Sequence, residues 1–213
     1  MTAFDPFGDV HVTLADGHVA FAEIRRPPNN FFDKKLIGSI ADAFEALGKD
    51  DRCRAIVLCS EGRHFCAGAD FSNRPAREDE PSLDTGHLYD EAVRLFATTT
   101  PVVAAIQGAA IGGGLGLALM PDFRIATPEA RFSANFARLG FHHGFGLSVT
   151  LPRLVGQQRA AHLLYTGERV KGEAAGEMGL CDRVVPADEL RDTALSLARD
   201  IAQSAPLAVE SIR

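Results

Sequence analysis

Three adjacent glycines, Gly112-Gly113-Gly114, lie between an apolar run that reads as a buried strand and a small-residue run that reads as a buried helix. The strand-like run is Pro101-Val102-Val103-Ala104-Ala105-Ile106-Gln107, and the helical one is Leu117-Ala118-Leu119-Met120. Between them the turn runs from Gly108 through Ala109, Ala110 and Ile111 to Leu115 and Gly116. Glycine reaches backbone angles closed to other residues and lets a ligand approach the main chain. A helix start presents unpaired N–H groups at its positive end. The junction reads either as a place where backbone N–H groups meet a group that is or becomes anionic, or as tight helix–strand packing.

A chain of 213 residues supports one sizeable core and one domain. With 46% hydrophobic and 23% charged residues it has the composition of a globular protein. No apolar run approaches the roughly 20 residues that span a bilayer, and Met1-Thr2-Ala3-Phe4-Asp5 lacks the basic and apolar regions of a signal peptide. A net charge of -6 gives no global attraction to nucleic acid or anionic lipid. A local basic patch would still hold a small polyanion. The four cysteines, Cys53, Cys59, Cys66 and Cys181, form no CxxC pair and no Cys/His grouping of zinc spacing, so no metal site is expected. Cys53 and Cys59 read as small core residues in a reducing cytoplasm.

Along the chain, Val10-His11-Val12-Thr13-Leu14 alternates as a half-buried strand. Asp16-Gly17 is a hairpin signal, and His18 to Ile24 is its partner strand. Arg26-Pro27-Pro28-Asn29-Asn30 makes a loop. Asp33 caps a helix whose apolar face is Leu36, Ile37, Ile40, Phe44 and Leu47, ended by Gly48. Arg54 to Ser60 is a strand buried on both faces. Glycine and small residues follow it, in Cys66-Ala67-Gly68-Ala69-Asp70. Ser72 to Thr85 reads as a mobile loop, and Gly86 to Thr99 as a helix. Beyond the glycine turn come strands at Phe123–Ala126 and Ala130–Ser133, a loop from Leu139 to Gly146, helices at 147–155, 157–165 and 171–178, a strand at Asp182–Val185, and helices at 187–203 and from Pro206. The repeated strand–strand–helix rhythm, with two glycine turns, gives an α/β fold in which helices cover stacked small sheets.

Five stretches, in this order and spacing, resemble the enoyl-CoA hydratase/isomerase (crotonase) superfamily. They are Arg26-Pro27 with Asn30; His64-Phe65-Cys66-Ala67-Gly68-Ala69-Asp70; Pro101 to Gly108 with Gly112-Gly113-Gly114; Pro121-Asp122-Phe123-Arg124-Ile125-Ala126; and Thr166-Gly167-Glu168 with Gly179 to Pro186. The resemblance implies a crotonase-like spiral of ββα units over residues 1–203, with 204–213 as the start of a C-terminal helical segment cut short at Arg213. It implies an acyl-CoA thioester as ligand, no cofactor beyond the coenzyme A moiety, a homotrimer or dimer of trimers, and a cytoplasmic location. By position it assigns the two N–H donors of a thioester oxyanion or enolate to Ala69 and Gly113. Such a donor is worth about 3 kcal/mol in measured oxyanion holes. Ala67, Gly68, Asp70 and Phe71, with Arg25 and Arg26, fall on the coenzyme A loops; Lys34, Arg63 and Arg74 flank them.

The resemblance to a hydratase stops at the chemical groups. The two positions that match the water-activating glutamates are Gly116 and Phe136, and the position of a later carboxylate is near Gly144. None carries an acid. The expectation is therefore oxyanion chemistry other than hydration (isomerase, carbon–carbon lyase or thioester hydrolase), or acyl-CoA binding without turnover. His142 and His143 are candidate acid/base groups, against a role as plain loop histidines. Tyr89 either touches the acyl group or packs with a solvated hydroxyl. Asp70 caps a short helix or contacts coenzyme A, and His64 is structural. Phe31, Phe32 and Phe71 either pack on the pantetheine or line the core. A P-loop, a Rossmann turn, a Gly-x-Ser-x-Gly elbow and the serine of a caseinolytic peptidase are all excluded by the residues around the glycines.

Overall fold

The computed structural model describes residues 2–4, 6–70 and 85–213. Phe71, Arg74 and all but the last residue of the expected loop Ser72–Thr85 lie outside the described residues.

Strand β1 (Thr2–Ala3) pairs antiparallel with β2 (Val10–Ala15), and β2 with β3 (Val19–Ile24) across the turn at Asp16-Gly17. Helix α1 (Lys34–Leu47) starts where Asp33 accepts a 2.8 Å hydrogen bond from the Leu36 N–H, and it buries the expected apolar face. There follow β4 (Ala55–Ser60), α2 (Thr85–Phe96), β5 (Val102–Ile106), β6 (Ala109–Ile111), α3 (Gly113–Leu119), β7 (Phe123–Ala126) and β8 (Arg131–Ser133). A 3-10 turn at Ala137–Leu139 leads to α4 (Leu147–Val155), α5 (Gln157–Thr166), β9 (Val170–Lys171), α6 (Gly172–Glu177), β10 (Arg183–Val184), α7 (Leu190–Ala202) and α8 (Pro206–Ile212).

One sheet of seven strands runs β1-β2-β3-β4-β5-β7-β10, parallel from β3 onward, and a second of three runs β6-β8-β9. The rhythm of paired strands and a helix is thus split between two sheets: β5 and β7 lie in the large one, while their successors β6 and β8 pair in the small one. The glycine stretch is therefore not one turn. Ala109-Ala110-Ile111 is a strand, entered through Gly108 at φ 60° and left through Gly112 at φ 57°. Three residues are too few for alternation to register in the sequence, and β1 and β9, at two residues each, escape for the same reason.

Every residue of β4 is buried because the large sheet is covered on both faces. Ile56 and Leu58 face a core with Phe44 and Leu36 of α1. Ala55, Val57 and Cys59 face Ala194, Ala198 and Ala202, whose spacing of four puts three small side chains on one stripe of α7. Arg191 of α7 pairs with the carboxylate of Glu23 in β3. Burial pushes the Glu23 carboxyl up, but hydrogen bonds from Arg191 and Arg25 outweigh it and hold the group below its ordinary range. Arg124 is almost wholly buried and donates to the carbonyls of Leu180 (3.0 Å) and Pro121 (2.7 Å), which ties β7 to the segment before β10. Asp122 accepts the Val102 N–H at 2.8 Å. The Pro121–Ala126 stretch is thus a lock between strands. No helix among the described residues is long and apolar enough to cross a membrane.

Candidate active site

Two loops, one after β4 of the large sheet and one after β6 of the small sheet, are stitched together by main chain. Cys66 forms a parallel bridge with Ala110; its N–H donates to Ala109 O (2.9 Å), and its carbonyl accepts from the Ile111 N–H (3.1 Å). The first loop then turns at Gly68, φ 96°, where a Cβ would stand 2.9 Å from Ile111 O. Its outer side is held by the Ala67 N–H on Asn29 O (3.0 Å) and the Phe32 N–H on Gly68 O (3.0 Å). The second loop turns at Gly112, whose N–H donates to Ser133 O at 2.8 Å. A side chain at Gly114 would overlap the Cys66 carbonyl, and one at Gly113 would overlap the Phe32 ring. The glycines are thus required by close approach, so the packing reading of the sequence holds at Gly114. Among the described residues, the N–H groups of Ala69 and Gly113 have no hydrogen-bond partner.

Both residues line one cavity of about 750 Å³, together with Gly68, Ala67 and Gly112. Its other walls are aromatic and aliphatic: Phe31, Phe32, Phe136, Phe141, Leu88 and Leu139. A second hollow of about 570 Å³ shares Phe31, Phe32, Ala69, Asp70 and Leu88 with it and extends past Arg26, Pro27 and Pro28, so the two form one groove. A groove of this size with few polar groups fits a ligand with an apolar body and an extended tail.

The titratable groups among the described lining residues of the cavity are Asp70, Tyr89 and His142. The two histidines separate. His142 lines the cavity, whereas His143 lies outside it, stacked on His142 with ring centroids 4.2 Å apart. The Nδ1 of His142 is 2.7 Å from the His143 carbonyl, which only accepts, so Nδ1 carries the proton and the neutral ring keeps its lone pair on Nε2. His143 Nε2 pairs with the Ser148 hydroxyl at 2.8 Å. Burial, then the neighbouring His142, lowers the His143 pKa below its ordinary value.

The arginines separate as well. Arg26 reaches the groove but is paired with Asp9 and Asp33, and it donates to Phe31 O, so it organises the loop as much as it charges it. Arg25 lines neither hollow; it holds Glu23 at 2.7 Å and His11 at 3.2 Å. His64 is structural, as expected: its Nδ1 accepts the Ala109 N–H at 3.2 Å. Asn30, fully buried at φ 49°, donates to the carbonyls of Glu61 (2.8 Å) and His64 (2.6 Å) and so fixes the loop entry. All four cysteines are buried, and burial pushes each thiol up to about 12, which removes Cys66 as a nucleophile beneath the cavity.

Sequence reasoning missed Asn135, Leu139, Phe141 and Phe145. Asn135 lines the cavity, with Oδ1 3.2 Å from the Cβ position of Gly112. Phe145 takes the space at Gly116, where a Cβ would stand 2.5 Å from the Phe145 Cβ. The only sequence signal for it was a bulky residue between Gly144 and Gly146. Phe136 faces the cavity, and the Tyr89 hydroxyl covers Gly144. Gly116, Phe136 and Gly144, the positions at which the family resemblance led us to look for acids, are therefore packed with aromatic rings.

Strand pairs divided between two sheets, with main-chain turns opening on an apolar groove, define an α/β protein of the crotonase type. The chain belongs to the enoyl-CoA hydratase/isomerase family, whose model matches residues 15–213. It is 35% identical over 185 residues to 1,2-epoxyphenylacetyl-CoA isomerase of Escherichia coli, covering 84% of this chain and 71% of the relative. It is 35% identical over 206 residues to carnitinyl-CoA dehydratase of Proteus mirabilis, covering 96% and 78%. An enoyl-CoA hydratase subunit I structure from Geobacillus kaustophilus superposes with a TM-score of 0.89 at 32% identity, covering 98% of this chain and 80% of that one. The chain is thus similar to proteins named as an isomerase, a dehydratase and a hydratase.

Proposed function

We propose that the chain is an acyl-CoA-processing enzyme that stabilises a thioester oxyanion or enolate between the N–H groups of Ala69 and Gly113, with chemistry other than standard hydration. The observation that carries this is the pair of unpartnered N–H groups on one apolar cavity. Donors fixed by backbone pairing need no reorganisation when charge develops on the oxygen. In this reading His142 Nε2 moves the proton, Tyr89 contacts the acyl group, and His143 positions His142. Ala67, Gly68 and Asp70 form the coenzyme A loop, and the hollow past Arg26 takes the pantetheine tail; Arg25 and Phe71 are further proposed coenzyme A contacts. The enzyme is proposed to work in the cytoplasm as a homotrimer or dimer of trimers. Leu207 and Ile212 of α8, 79% and 85% exposed, give it apolar surface to bury.

A panel of enoyl-, hydroxyacyl- and acyl-CoA thioesters tests the reading by turnover. Rapid hydration of crotonyl-CoA that survives His142→Gln, His143→Gln and Tyr89→Phe would defeat it. The second reading, a non-catalytic acyl-CoA binding protein, is favoured by the small number of titratable groups facing the cavity. Calorimetric binding of acyl-CoA without turnover of any thioester selects it.

A further inference from the structure

We propose that Phe145 closes the inner end of the cavity and sets the largest acyl group that the site admits. This rests on the acyl-CoA reading above and names the side chain that determines its substrate range. Phe145 is 3% exposed and adopts φ 55°, the left-handed region that favours glycine. A bulky residue stays there only where its surroundings over-determine it. They do so through three glycines. Gly116 of α3 leaves room for the Phe145 Cβ, which stands 2.5 Å from where a Gly116 side chain would begin. Gly144 leaves room for the Tyr89 hydroxyl, and Gly146 for the Phe96 ring, 2.8 Å from its Cβ position. The Phe145 ring meets Phe32 edge to face, with centroids 6.1 Å apart, and Phe96 at 6.3 Å.

The same contacts give its depth. Gly113 lines the cavity, and Gly116 follows three residues on, one turn along α3. Phe32 and Tyr89 line the cavity too, and Phe145 stands behind the first and next to the glycine covered by the second. An acyl group that leaves the Gly113 N–H and passes Phe32 meets the Phe145 ring. The ring itself is packed against Phe32, Phe96 and Gly116, all without charge, so the volume that its removal would open admits hydrocarbon. Strain at φ 55° and the glycine at Gly116 then have one purpose in common: they hold a ring where the acyl chain ends.

Calorimetry of the full chain with coenzyme A and with straight-chain acyl-CoAs from acetyl to dodecanoyl tests this, for the wild type, Phe145→Ala and Phe145→Leu. Wild-type affinity should rise with chain length and stop rising at a break. Phe145→Ala should move the break outward, with about fourfold tighter binding for each methylene in the newly opened range. Phe145→Leu should move it less, and it stands in if the alanine variant fails to fold by circular dichroism. Coenzyme A itself should bind all three proteins equally. An unmoved break in a folded variant overturns the role of Phe145 and leaves the acyl-CoA reading standing. A wild type that binds no acyl-CoA at all overturns both.

Discussion

The two sides of the cavity are built by opposite means. One side, Cys66–Asp70 with Ile111–Gly114, is main chain: a parallel bridge, glycines at positive φ and carbonyls that leave no room for side chains. The other side, from Asn135 to Gly146, is side chain: Phe136, Leu139, Phe141 and His142 line the cavity, and Phe145 packs on Phe32. The first fixes directions and cannot change residue by residue without moving backbone. The second fixes the cavity's size and brings His142 to its wall, and it can be exchanged one ring at a time.

The sharpest way to break the comparison is to remove a donor from the main-chain side. Gly113→Pro should lower kcat about 10²- to 10³-fold while the helix persists, because proline is tolerated at the first helical position, which Gly113 holds. Gly113→Ala keeps the N–H and places a methyl on Phe32, so it measures the steric part alone. Equal losses in the two variants would show that the donor is not what matters. On the side-chain side, His142→Gln should cost about 10²-fold in kcat, and His143→Gln, outside the cavity, less than about tenfold. A reversed order would assign the chemistry to His143.

Smaller effects are thermodynamic. Gly68→Ala should destabilise the fold by about 1–3 kcal/mol in urea unfolding, since alanine at φ 96° is strained and meets Ile111 O. Asp33→Ala removes a side-chain cap on α1 and should cost about 1 kcal/mol. The smallest is a pH dependence. The His143 pKa is lowered in the fold, so the unfolded chain binds its proton more tightly. This contribution is complete above the unfolded value near 6.5 and is lost as pH falls through the lowered folded value. His143→Gln should flatten that acid limb of the thermal melting curve, and a limb left unchanged would remove His143 as its source.

What was legible in the sequence follows from what periodicity and punctuation record. The apolar face of α1, the Asp33 cap and the doubly buried β4 were readable because their patterns extend over many residues or rest on one unambiguous polar atom. Both glycine turns were readable as close approaches. The bridge of Cys66 to Ala110 was not, because one pairing across 44 residues of separation leaves no local trace. The separation of His142 from His143 was invisible for a different reason: adjacent residues of one type differ only in which way the loop turns. Phe145 was missed because bulk between two glycines suggests nothing until Gly116 is seen facing it. Arg25 and Arg26 read alike in sequence and diverge only once Glu23, Asp9 and Asp33 are in place.

The Cys66–Ala110 bridge has a consequence for how such a chain changes over time. It joins the two turns through main-chain atoms that every residue but proline supplies, so drift at the surrounding side chains leaves their spacing untouched. A chain built on it can exchange the rings around the cavity one at a time and keep the N–H groups of Ala69 and Gly113 at the same separation.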